Sequence, residues 1–264
     1  MKNSILLIFV FIASSLSTNA QCTVGKIGFG AGEKISYDVH YHWGLVWANA
    51  GSATFSVENA VFAGKNAYHF IGEGSSRKNW DWFFKVRDRF DSWVDAEQLK
   101  PLRYIRNTQE GGNRTHNDSY FFYGTKKIHL HNYSNSKQPA NDTLALIPCL
   151  YDVMTTIYYA RTLNFTNAKV GTTIAYNMYL DGKIYKDLYI KYLGKEKITT
   201  ALGEIMCVKF SPKLIEGTVF KSGDGMVVWV TDDDAHTPVQ IKAPIVVGEV
   251  LIKITNLKQG DVVK

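Results

Sequence analysis

The stretch Thr173–Tyr192, TIAYNMYLDGKIYKDLYIKY, decides the fold. Asp181-Gly182 stands between two runs, Thr173–Leu180 and Lys183–Tyr192, both rich in Tyr, Ile and Leu. An Asp-Gly pair favours the type I′ turn, because both central residues there take positive φ and the turn's twist matches that of an antiparallel ribbon. The second run alternates with one slip, its apolar positions being Ile184, Tyr185, Leu188 and Ile190. The stretch therefore predicts a β-hairpin.

The same two-residue rhythm spreads outward from it. Ile35, Tyr37, Val39 and Tyr41 share one side, with Ser36, Asp38, His40 and His42 opposite, and Ala53, Phe55 and Val57 repeat the pattern. Ile205, Cys207 and Lys209 alternate with Met206, Val208 and Phe210, and Gly203 separates that run from Glu196–Thr200. Asp224-Gly225 reads as a second hairpin turn ahead of a strand Met226–Thr231. Asp232-Asp233-Asp234 reads as a turn before Pro238–Ile241, and Gly248–Asn256 as the last strand, with a frayed tail over Lys258–Lys264. Half-buried antiparallel strands produce such alternation.

One segment departs from it. Leu150, Val153, Met154, Ile157, Tyr158 and Arg161 fall at the spacing of an amphipathic helix. Pro148 suits its first turn and Asn164 its stop, which predicts a helix over about 149–163. The polar stretch Asn132–Thr143 ahead of it reads as a loop. The expectation is a mainly β protein. A large curved antiparallel sheet or open barrel of about 12–14 strands would carry one central amphipathic helix packed on it. Two meanders, about 33–131 and 169–257, would be joined by the helix, either as one continuous sheet or as two packed halves, in a single domain over 21–264.

The first twenty residues read as a signal peptide: Lys2, an apolar run Ile5–Ala13, then small residues to Ala20, with Gln21 as the new terminus. The run is too short to cross about 30 Å of hydrocarbon. Gln21 before Cys22, where a lipoprotein signal needs a small residue, argues against lipid attachment. No later segment is long and apolar enough to span a bilayer, so the expected location is the periplasm or the outer-membrane surface. The net charge of +6 is spread over scattered lysines, which excludes the clustered phosphate contacts of a nucleic-acid binder. Cys22, Cys149 and Cys207 are an odd set; one bridge is possible, and buried inert thiols are the simpler expectation.

The densest chemistry lies in Asn79–Asp95, NWDWFFKVRDRFDSWVD. It reads either as a hydrophobic hairpin whose aromatics fill the core or as a ligand surface. In the second reading Trp80, Trp82, Phe83 and Phe84 contact an apolar or amphipathic ligand, a lipid or a glycan, while Asp88, Arg89 and Arg103 grip its polar group. Carboxylate pairs for glycoside hydrolysis, which need about 5 to 10 Å of separation, are Asp88/Asp91, Asp91/Asp95 and Asp232–Asp234. His40/His42 and His129/His131 are spaced to share strand faces, but no third ligand for zinc is identifiable, and neither a metal nor a cofactor is expected. No HExxH, GxSxG, Walker loop or CxxC is present. Gly28 and Gly30 could open a GxGxxG motif, but Glu33 occupies the third glycine's place.

An ordered set of stretches carries a resemblance. Gly32-Glu33-Lys34-Ile35-Ser36-Tyr37 leads to Ala50-Gly51-Ser52-Ala53 and then to Val86-Arg87-Asp88-Arg89-Phe90-Asp91-Ser92. Tyr151–Arg161, Gly203–Pro212, Val228–Asp233 and Pro238-Val239 follow. Together they resemble the exported bacterial family DUF3108, a domain of unknown function, from about Gly32 to Asn256. The resemblance implies export and a β-rich fold, and brings no activity or catalytic residue. By analogy of fold it suggests periplasmic lipid-carrier sheets that wrap a hydrophobic cavity. The leading expectation is a non-catalytic binding or carrier protein. The alternatives are a glycan-active envelope enzyme using paired carboxylates and an assembly factor that binds another protein through exposed strand edges.

Overall fold

The computed structural model describes residues 22–44, 46–135, 137–215, 223, 225–245 and 248–262. The expected signal peptide, Gln21, Asp224 of the second Asp-Gly turn and Val263–Lys264 lie outside the described residues.

The deciding hairpin forms as read. Strands β10 (Thr173–Leu180) and β11 (Lys183–Thr200) pair antiparallel, with Leu180 opposite Lys183. Asp181 and Gly182 take φ of 52° and 72°, the pair of positive values a type I′ turn requires. β11 runs on past Tyr192 through a register shift at Gly194, so the expected separate strand Glu196–Thr200 is its far half.

Most neighbouring pairs are likewise consecutive antiparallel strands. Before β10 come β1 (Lys34–Trp43), β2 (Val46–Phe62), β3 (Lys65–Ser76), β4 (Val86–Asp95), β5 (Pro101–Glu110), β6 (Asn113–Phe122), β7 (Lys127–Ser134), β8 (Lys137–Ala145) and β9 (Leu150–Tyr151). After β11 come β12 (Gly203–Pro212), β13 (Val227–Thr231), β14 (Pro238–Pro244) and β15 (Glu249–Lys258). They form one 15-stranded sheet in the order β8-β7-β6-β5-β4-β3-β2-β1-β15-β14-β13-β12-β11-β10-β9. All pairs are antiparallel except β9 with β10. The two meanders merge because β1 pairs with β2 on one side and β15 on the other, which settles the open choice for a continuous sheet.

The sheet rolls until its flanks meet. Tyr179 of β10 bonds Ser119 of β6 at 2.6 Å and sets its ring edge-on to Tyr104 and Phe121. Asp181 accepts from Asn117 at 2.9 Å and pairs with Arg106. Side chains, not a backbone ladder, close this seam.

The helix α1 spans Val153–Ala160, shorter at both ends than the expected 149–163. Leu150–Tyr151 instead pair with β10, and Asp152 starts the helix by accepting from the Thr155 amide at 2.9 Å. A side-chain cap outweighs the proline cue here. α1 lies on the inner face against β3, β4 and β10. Met154 seats on Gly72, where a Cβ would stand 2.6 Å from its Sδ, and the Tyr158 and Phe70 rings stack at 3.9 Å. At the helix end the buried Arg161 makes two bonds to buried Glu33, at 2.6 and 2.9 Å, and a third to the Ala235 carbonyl.

Three further expectations are corrected. Asn132–Thr143 is no loop but most of the β7–β8 hairpin; β8 is an edge strand exposed along most of its length, so it has no apolar side to write in sequence. Lys258 closes β15 and the Asp261 amide bonds the Ala31 carbonyl, so the described part of the tail is tied down. Cys22 and Cys149 form a disulfide; only Cys207 is a buried free thiol, which burial pushes up to about 11.

Candidate ligand groove and aromatic rim

Alternation in β4 sorts the expected site residues onto different surfaces. Asp88, Phe90, Ser92 and Val94 face inward, Ser92 bonding buried Asp152 at 2.6 Å, while Arg87, Arg89, Asp91 and Trp93 face outward. Cross-strand register then lines up outward residues from five strands. Ser52, Ser75, Arg87, Gln109 and Arg114 form one row, and Thr54, Glu73, Arg89, Asn107 and His116 the next. Together with Tyr133 of β7 they line a groove of about 810 Å³ on the outer face, whose floor is the backbone of the row between them.

Three guanidinium groups reach this groove. Arg87 is fixed by Asp81, at 2.7 and 3.1 Å, and by Ser76. Arg89 bonds Asp91 through two nitrogens, at 2.8 and 2.9 Å, and Glu73 at 2.8 Å. Arg114 has no side-chain partner among the described residues. Burial works against the Asp91 carboxylate, but the hydrogen bonds from His69 and Arg89 outweigh it and hold its pKa below the ordinary value. Asp91 thus stays ionised and aims Arg89 along the sheet. Asp81, Asp91 and Glu73 thus already engage Arg87 and Arg89, which leaves Arg114 as the groove guanidinium without a side-chain partner among the described residues.

The aromatic residues stand apart from the interior. Trp80 ends a short turn, Lys78–Trp80, and is half-buried; Trp82, Phe83 and Phe84 are 81, 60 and 43% exposed on the β3–β4 connection. Phe84 lies against Gly111, in the β5–β6 turn between the groove residues Gln109 and Arg114, so this loop borders the groove's end. The aromatics do not face α1, which packs instead on Phe29, Phe70 and Gly72. Arg103 is on the outer face but outside the groove, bonded to Asp118 at 2.7 and 2.9 Å and stacked over Trp93 and Tyr120. The structure thus brings Arg89 into the groove and Phe84 to its rim, and turns Asp88 inward.

Asp88 has its own chemistry. Burial, with the Glu110 charge beside it, pushes its carboxyl up to about 7, although the Gln109 amide donates to it at 3.2 Å. Asp88 and Asp91 lie on opposite faces and cannot act on one bond. Asp91 and Asp95 are four residues apart along a strand, about 13 Å, and Asp95 caps the Glu97 and Gln98 amides. Asp233 caps its own turn, and Asp232 pairs with Lys195 at 2.6 Å. Among the described residues no three His, Cys, Asp or Glu side chains come together for a metal.

The groove residues Arg87, Gln109, Arg114, His116 and Tyr133 were not singled out in sequence. The signal that finds Gln109, Arg114 and His116 is Gly111-Gly112 as the turn of a β5–β6 hairpin, which sets Gln109 opposite Arg114 and Asn107 opposite His116.

The DUF3108 model, described as a protein of unknown function, matches residues 36–255. The chain belongs to this family. Among solved structures it is similar to a β-barrel-like protein of another domain of unknown function, DUF1849, from Brucella abortus. The TM-score is 0.56 at 10% identity, covering 88% of this chain and 99% of that one. It also matches a protein from Bacteroides fragilis described as exported and of YmcC-like fold, with TM-score 0.33 at 10% identity, covering 90 and 100% of the two chains. No curated protein matches it in sequence. The first likeness supports the rolled sheet, and neither description names an activity.

Proposed function

We propose that this is an exported cell-envelope protein that binds an anionic amphiphile without transforming it. The head group lies in the outer groove against Arg87, Arg89 and Arg114, and the apolar part lies toward Phe84 at the rim. The observation that carries the reading is Arg114, a guanidinium without a side-chain partner among the described residues, placed by register beside two that are already aimed. Planar guanidinium forks suit carboxylate or phosphate groups. Export draws support from the leader-like first twenty residues and from the Cys22–Cys149 bridge, which persists in oxidising compartments. The solidly packed helix–sheet interface moves the expected ligand from the inside of the sheet to its outside.

Binding of lysophosphatidic acid or of a fatty acid by the purified protein tests this. Arg114→Ala should weaken the affinity by about tenfold, the worth of one charge-assisted bond of about 1.5 kcal/mol. No binding by the wild type, or equal binding by the variant, refutes it.

One observation favours a second reading, a glycan-active enzyme: Asp88 keeps its proton to about neutral pH beside Glu110, as a general acid would. Turnover of a glycan panel that disappears in Asp88→Asn would establish it. That pair faces away from the groove, and for this reason the binding reading is preferred.

A further inference from the structure

The two ends of the rolled sheet differ. At one end β1 turns into β2 and β3 into β4, and these neighbouring connections carry aromatic side chains in solvent. Trp47 is 53% exposed and stacks flat on His42 at 4.0 Å. Trp82 and Phe83 are more exposed still, and Phe83 leans over Tyr41 of β1. Arg77, just past β3, bonds Asn49 of β2 at 2.9 Å. Away from that end the exposed apolar residues, among them Val61, Phe122, Val170 and Leu202, are spread over separate strands and turns.

Charge accompanies the aromatics. Residues 77–87 carry Arg77, Lys78, Lys85 and Arg87 against the single carboxylate Asp81; Arg87 pairs with Asp81 and Arg77 with Asp38 of β1, which leaves the charges of Lys78 and Lys85. Lys78 is exposed beside the tip. Indole and phenyl rings at projecting loop tips, ringed by cations, match the water–hydrocarbon interface of a bilayer with anionic head groups. A second copy of the chain fits less well, because a two-fold contact through these tips would set the cations of one copy against those of the other.

We propose that this end of the sheet docks on an anionic lipid bilayer surface, with Trp82, Phe83 and Trp47 in the interface and Lys78 and Lys85 on the head groups. The proposal does not rest on the groove ligand. Docking sets the groove's rim, marked by Phe84, at the membrane surface.

The test is flotation of the protein lacking its first twenty residues with vesicles of equal parts phosphatidylcholine and phosphatidylglycerol. The blue shift of tryptophan emission is followed alongside. The wild type should float, and should release in high salt or on pure phosphatidylcholine. Trp82→Ser and Phe83→Ser should each weaken binding by about tenfold, the worth of a partly buried ring. Lys78→Gln and Lys85→Gln should each weaken it by about fivefold. These side chains are outside the core, and circular dichroism confirms that the variants fold. Trp82→Ser should bind a free fatty acid like the wild type, which separates this idea from the groove reading. No flotation, or flotation indifferent to Trp82→Ser with Phe83→Ser, overturns the proposal. So does a concentration-dependent dimer that those substitutions abolish.

Discussion

Replacing Glu33 by glutamine removes the one carboxylate that meets the Arg161 guanidinium inside the protein. Arg161 is 1% exposed and Glu33 4%. The two bonds of 2.6 and 2.9 Å form a parallel fork, and Phe29 and Tyr158 cover the cation with ring centroids 4.8 and 5.3 Å from its Cζ. Burial alone would lower the Arg161 pKa, but its bonds to Glu33 outweigh this and raise it, so the cation cannot escape by losing its proton. The substituted amide retains one acceptor and no charge, which leaves a buried cation unbalanced at a cost of about 3–5 kcal/mol. In a domain of this size each kcal/mol moves Tm by about 2–4 °C, so the midpoint should fall by about 10 °C. Arg161→Met should cost a similar amount. The double variant Glu33→Met with Arg161→Met should cost less than the two singles together, since it strands no charge. Differential scanning calorimetry of the wild type, the Met singles, the double and Glu33→Gln measures both effects. A fall under about 2 °C for Glu33→Gln, or strict additivity in the Met cycle, would show that the pair does not hold α1 to the start of β1.

Other consequences can be measured on the same protein. Asp88 has a folded pKa near 7, above the unfolded value, so the folded state holds a proton that the unfolded state has released, and stability should fall as pH rises from about 4 to 7. Discounted for its partial exposure the effect is about 1–2 kcal/mol, and urea midpoints should show a shallower decline between pH 5 and 8 for Asp88→Asn; identical slopes would refute it. Reducing the Cys22–Cys149 bridge, which spans 127 residues, should cost up to about 5 kcal/mol; an unchanged denaturation curve in dithiothreitol contradicts this. Gly72→Val should destabilise by about 2–3 kcal/mol by displacing Met154. Gly74→Ala, with nothing within 4 Å of the new methyl, should stay within about 0.5 kcal/mol; a similar loss at both positions would disprove the packing account.

The hairpin at Asp181-Gly182 was legible because local chemistry settles it: two positive φ values need those two residues. The alternating core strands were legible for a comparable reason, one face being buried. β8 was not, because an edge strand exposed along most of its length leaves no periodic trace. The helix start was misplaced because Pro148 announces a first turn that Asp152, with its caps on Thr155 and its bond from Ser92, provides four residues later. The site was legible in composition and illegible in arrangement. The run Asn79–Asp95 does hold exposed aromatics and groove arginines, yet a strand's own rhythm says only that Asp88 and Arg89 part company. That Arg87 stands in line with Gln109 and Arg114 depends on two successive registers, and Glu33 meeting Arg161 depends on the whole roll.

The pairing of β1 with β15 has a bearing on how the chain reaches its native state. The middle of the sheet is stitched by the first strand and the last, Lys34 opposite Lys258. Until the final strand arrives, β1 keeps a bare row of amides and carbonyls, and closing so long a loop is slow. Synthesis must therefore pass Lys258 before the molecule can finish folding. A copy clipped before Glu249 would keep that sticky margin for good and should associate with its like.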